Sequence, residues 1–168
     1  HQPRSLVNRA GYHLLDVLQD GQLDVAKMIC GSEGTLALIT EATLAIQPLP
    51  KHRGVALLLF DRLENAAKAV MEILPLFPSA CDLMDRRHLS LARENDVRFD
   101  LLIPAEAEAM LLVEVDGESA AEVRERIAKI IARVHAELRL ALGSRQAMDL
   151  EEVELYWQLA RKVVPTLY

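Results

Sequence analysis

Downstream of Gly54 the hydrophobic period switches between two and 3.6 in a fixed order, and that order leaves few folds open. The block VALLLF (residues 55–60) is apolar throughout and of strand length, and Asp61 with Glu64 has the spacing of a helix start. Leu63, Ala66, Ala67, Val70 and Leu74 then recur at helical spacing up to Pro75. SACDLMD (79–85) predicts a second strand and RRHLSLAREN a short helix, with Asp85 placed to cap it. DVRFDLLIP reads as an exposed crossing, and AMLLVEVDG (109–117) as a third strand. Ser119 and Glu122 form a capping box for the longest helix, whose apolar stripe is Val123, Ile127, Ile130, Ile131, Val134 and Leu138. Glu122 with Arg126 and Glu125 with Lys129 supply i,i+4 pairs on its wet side. SRQAMD gives a fourth strand, and Asp149 with Glu152 starts a last helix through VELYWQLARKVV. Strand, helix, strand, strand, helix, strand predicts an α+β unit over 54–168: a ferredoxin-like antiparallel sheet with helices on one face.

Residues 1–50 are organised differently. HQPRSLVNRAGYHLLDVLQDGQLD reads as a polar loop with short helical turns. VAKMIC (25–30) is a brief helix that should stop at Gly31 in the left-handed position. From Leu36 to Ile46 the period is two, which predicts a strand ended by Pro48 and Pro50, with LPKHRG as a domain boundary. That strand has no partner in the first fifty residues, and both chain ends are abrupt, as expected of a piece of a larger protein. Gly31 and Gly34 strip the helix-to-strand turn of side chains, so that backbone N–H groups could approach an anionic or planar ligand. On spacing alone a tight glycine-capped turn is the favoured reading.

With 51% hydrophobic and 26% charged residues the chain can build a core. A net charge of -6 and 4% aromatics argue against nucleic acid or an anionic membrane as the main partner. No apolar run is long enough to span a bilayer and no signal peptide is evident, so a cytoplasmic location is expected. Cys30 and Cys81 sit in apolar stretches and read as buried thiols; the five histidines have no metal-ligand spacing.

The stretch GSEGTLALITEATLAIQPLP closely resembles the closing segment of the flavin-binding domain in FAD-linked oxidases of the vanillyl-alcohol oxidase type. NRAGYHLLDVL before it resembles the Asn-x-x-Gly-Tyr-x-Leu element of the glycolate oxidase and D-lactate dehydrogenase branch, through Asn8, Gly11 and Tyr12. The resemblance makes residues 1–50 the end of an FAD-binding domain and 54–168 part of the C-terminal cap, or substrate, domain. It places Glu33, Gly34, Thr35, Leu36, Ala37, Leu38 and Ile39 along the FAD, with backbone contacts from Gly34 to Leu36 and the Thr35 hydroxyl as a donor. Ala37 stands where the family has a second glycine. The side chains of Leu36, Leu38 and Ile39 are expected to pack in a core.

YWQLARKVVPTLY resembles the Trp-x-x-Arg segment whose arginine pairs with the substrate carboxylate, a task suited to a planar, two-pronged cation. Here the arginine is Arg161, four residues after Trp157 rather than three, and Lys162 is a lesser claimant. An exposed helical arginine balancing Glu154 is the other reading. SACDLMDRRH resembles the strand end of the cap, with Asp85 fitting and Asp82 standing where the family usually has Glu; both read as structural, His88 as a surface residue, and His135 as packing. The resemblance implies FAD as cofactor, a small 2-hydroxy acid such as glycolate or D-lactate as substrate, and onward electron transfer to an iron–sulfur domain or subunit. It places the catalytic and metal-binding histidines beyond residue 168. A non-catalytic ferredoxin-like module for small ligands or dimerisation is the reading from another class.

Overall fold

The computed structural model describes residues 11–12 and 14–163, with Lys162 and Val163 as backbone only, and the chain divides into two units between Gln47 and Pro48. In the first, β1 (Leu18–Gln19) and β2 (Gln22–Leu23) make a small hairpin. Asp20 and Gly21 both lie at positive φ, the type I′ geometry that suits Asp-Gly, where the sequence had read as loop and helical turns. Helix α1 (Val25–Ile29) follows, capped by Asp24. The expected strand from Leu36 to Ile46 does not form: these residues carry no ladder and are exposed, because no described segment pairs with them.

The second unit is built on a sheet of four antiparallel strands in the order β4-β5-β3-β6: β3 (His52–Phe60), β4 (Ala80–Asp85), β5 (Ala109–Gly117) and β6 (Gly143–Ala147). That order is the ferredoxin-like one, and the inner strands β3 and β5 read as continuous apolar runs because both their faces are covered. Alternate residues sort into two cores. Ala56, Leu58, Phe60, Leu111 and Val113 meet α2 (Leu63–Ile73) and α5 (Ala120–Ile131), the expected helix layer. Val55, Leu57, Leu59, Met110 and Leu112 meet a second layer that the ferredoxin-like reading lacked, made of α3 (Arg86–Asn95), α4 (Val97–Leu102) and α6 (Leu150–Val163). DVRFDLLIP is thus a helix and not an exposed crossing, with Phe99 and Ile103 fully buried beneath it.

Helix ends follow side-chain chemistry. Ser119 accepts from the Glu122 amide, the first bond of the expected capping box, while the Glu122 carboxylate accepts from the Glu118 amide, one residue before the cap, instead of from Ser119. Helix α2 departs from expectation: Arg62 holds the cap position without a side-chain bond, and the buried stripe is Ala66, Ala69 and Ile73, with Leu63 and Leu74 left exposed. Asp85 accepts the His88 amide at 2.9 Å at the start of α3. Asp85→Ala should therefore cost about 1 kcal/mol in chemical denaturation, and Asp85→Asn much less, because asparagine can still accept.

Candidate functional site

The turn after α1 is shaped by three residues in the left-handed region, Gly31 (φ 80°), Glu33 (φ 49°) and Gly34 (φ 78°). Two of them are glycines, for which that conformation costs nothing. Ser32 is buried at the centre. A Cβ placed on Gly34 would meet no atom within 4 Å, so that side of the turn is open. Thr35 is committed internally: its amide donates to the Ser32 carbonyl at 2.9 Å, its hydroxyl donates to the same oxygen at 2.6 Å, and Tyr12 Oη lies 2.7 Å from that hydroxyl. The hydroxyl expected to serve a ligand is spent on the turn.

Among the described residues, the amides of Glu33, Gly34, Leu36, Ala37, Leu38 and Ile39 have no main-chain partner. At Gly34 an anion or the edge of a planar ring can reach the N–H without displacing a side chain. Leu36, Leu38 and Ile39 do not pack as expected; Leu38 is 91% exposed. Asn8 lies outside the described residues.

Within the second unit, α6 packs Val153, Tyr156 and Leu159 into the core on one face of the sheet. Glu154, Trp157 and Arg161 recur at i, i+3 and i+7 and share a helix face. With Arg53 of β3, Asp82 of β4, Glu114 of β5 and Ala160, Trp157 and Arg161 line an open recess of about 350 Å³. That is room for a small acid. The indole Nε1 of Trp157 donates to Glu114 Oε2 at 2.6 Å. The Arg161 guanidinium lies over the Trp157 ring, 5.9 Å from its centroid, and donates to Glu154 Oε1 at 2.8 Å. Arg161 is therefore both paired with Glu154 and a wall of the recess. The side chain of Arg53 has no hydrogen-bond or ion-pair partner among the described residues. The side chain of Lys162 lies outside those residues.

Sequence reasoning passed over Arg53 and Glu114. For Glu114 a signal existed: in LLVEVDG it continues the alternate row of Met110 and Leu112, where a carboxylate interrupts an apolar face. His88 is half-buried rather than a surface residue and ties α3 to the Leu159 carbonyl of α6, while His135 bonds the Ala141 carbonyl. Cys30 is exposed, contrary to expectation, because the turn it enters has no cover; Cys81 is partly buried, and desolvation raises its pKa. No helix among the described residues is long and apolar enough to cross a membrane.

The sequence matches the family of FAD linked oxidases, C-terminal domain, over residues 49–168. It is 30% identical over 169 residues to D-2-hydroxyglutarate dehydrogenase of Pantoea ananatis, covering 94% of this chain and 16% of that protein, so the similarity extends well into the first unit. It is 34% identical over 156 residues to glycolate oxidase subunit GlcD of Escherichia coli (90% of this chain, 30% of that one). With D-lactate dehydrogenase of Archaeoglobus fulgidus it shares 29% over 132 residues (78% and 27%). The chain spans less than a third of the length of these relatives.

Proposed function

The chain belongs to the FAD linked oxidases, as a carrier of their C-terminal domain, and from that premise we propose that it is part of a flavoenzyme oxidising a small 2-hydroxy acid of the glycolate or D-lactate kind. In this reading residues 1–50 are the end of the flavin-binding domain and 54–168 part of the substrate domain. The open amides at Gly34 and from Leu36 to Ile39 would lie against the flavin. Arg161 would hold the substrate carboxylate, with two of its N–H donors facing two oxygens. FAD, when bound, supplies the two-electron acceptor that turns the hydroxy acid into a 2-oxo acid. The hydroxyl proton leaves to a base that we place outside this chain. One relative bears the name of a subunit, which supports a partner chain through which electrons leave, and an iron–sulfur protein is the partner we propose.

The observation that carries the reading is the Arg161 guanidinium, spread on the Trp157 ring at the wall of a recess sized for a small acid. The test is anaerobic reduction of the intact flavoprotein, followed by bleaching, with glycolate, D-lactate and D-2-hydroxyglutarate in turn. At least one should bleach it. Arg161→Ala should raise the half-reducing concentration at least about tenfold, the value of a lost charge-assisted pair. No bleaching by any hydroxy acid would end the substrate assignment, and an unchanged half-reducing concentration would remove Arg161 from it.

A further inference from the structure

We infer that Glu114 is a positioning residue, which sets the guanidinium of Arg161 through the indole of Trp157; this rests on Arg161 being the carboxylate ligand. The contacts form a chain. Glu114 Oε2 takes the indole proton at 2.6 Å, and the ring so fixed is the surface on which Arg161 lies. An indole on a helix has a broad, two-fold torsion about its second side-chain bond, so packing alone leaves a choice of ring face. Only one of those settings puts Nε1 against β5. The bond to a carboxylate is charge-assisted, short, and half-shielded from water by the edge of the second core, where Trp157 packs.

Glu114 has no structural task that needs a charge. Its backbone satisfies the ladder and its carbonyl accepts the Ser79 amide whatever the side chain. Alanine, leucine or valine at position 114 would extend the apolar row of Met110 and Leu112. A carboxylate is also a poor neighbour for an acidic substrate, since both carry negative charge. Its presence in the recess beside Arg161 is accounted for if what it provides is the orientation of Trp157. Glu154 contributes the other side of the clamp, but from within α6, so it cannot register the helix against the sheet. The Glu114–Trp157 bond joins β5 to α6 across 43 residues of sequence.

Two measurements test this. Trp157 is the one tryptophan of the 168-residue chain, so the red edge of the near-ultraviolet circular dichroism, beyond the tyrosine and phenylalanine bands, reports its ring. Glu114→Ala should flatten that band, while Glu114→Gln, whose amide oxygen still accepts, should keep most of it. In the intact flavoprotein Glu114→Ala should raise KM for the hydroxy acid about tenfold with kcat within about twofold, and Glu114→Gln should restore KM to within about threefold. Trp157→Phe keeps a ring but loses the donor, and should match Glu114→Ala in KM without adding to it in the double variant. Should Glu114→Ala fail to fold, that comparison of Trp157→Phe with Glu114→Gln decides the question. An unaltered Trp157 band in Glu114→Ala overturns the proposal. So does a lost band with KM unchanged while Arg161→Ala still raises it. If Arg161→Ala itself leaves KM unchanged, the carboxylate reading fails first and the positioning role with it.

Discussion

Leu57→Ala should lower the stability of the second unit by about 3 kcal/mol, read as a fall in urea midpoint at unchanged slope. Leu57 is fully buried on β3, an inner strand, opposite Leu112 of β5 on one side and Arg145 of β6 on the other. Its side chain enters the core that α3, α4 and α6 close, among Phe99, Tyr156 and Leu159. The sheet is hydrogen-bonded on both sides of β3 and cannot collapse into the hole, which keeps the cost near the middle of the range for Leu→Ala. Leu58, the next residue, faces α2 and α5 in the other core, so Leu58→Ala should cost a similar amount by a separate route. The two losses should nearly add, because no side chain is shared between the cores. Leu138→Ala, at a 36% exposed site, is the control and should cost well under 1 kcal/mol. A loss below about 1 kcal/mol for Leu57→Ala would mean that the second helix layer is not closed as described.

That layer was the harder half of the fold to read. Strands β3 and β5 announce themselves because their stretches buried on both faces, residues 55–60 and 109–113, are apolar at every position, and few other elements of that length look that way. DVRFDLLIP was missed although Asp96 caps it and Phe99 with Ile103 has helical spacing; four charged or proline residues in nine masked a two-residue apolar stripe. LQDGQL was missed because its flanking strands are two residues each, too short for a period to show, even though Asp-Gly names the turn. The stretch from Leu36 to Ile46 failed in the opposite sense. Alternation says which side chains share a face, but a strand exists only when another strand takes its hydrogen bonds, and none of the described residues does. In the candidate site, the Arg161 pair with Glu154 was legible from the residues alone, whereas Arg161 as a site candidate came only from the resemblance to the Trp-x-x-Arg segment. The Glu114 bond to Trp157 was not legible, since it depends on the register that brings α6 over β5.

The 168-residue chain alone should bind FAD no more tightly than about 1 mM, and the intact flavoprotein at least about a thousandfold better. What the chain offers is a row of amides around Gly34 whose open side no side chain covers. A few such donors, each exchanging a water hydrogen bond for a ligand one, return about 1 kcal/mol apiece. Against that stand the lost freedom of the ligand and the ordering of the segment itself, costs of several kcal/mol. Beyond the bonded turn the segment is not packed: from Leu36 to Pro50 every residue is exposed, with Leu38 at 91% and Ile46 at 92%. Tight cofactor sites bury most of the ligand against surfaces already in place, and one exposed turn buries little. Exposed Leu36, Leu38, Leu44 and Ile46 are the side chains that further packing would cover, and covering them would also fix the amides proposed above to face the flavin. Titrating FAD fluorescence with the chain and with the intact protein separates the two cases. Micromolar binding by the chain alone would show that the turn is a site in itself and not one wall of a larger one.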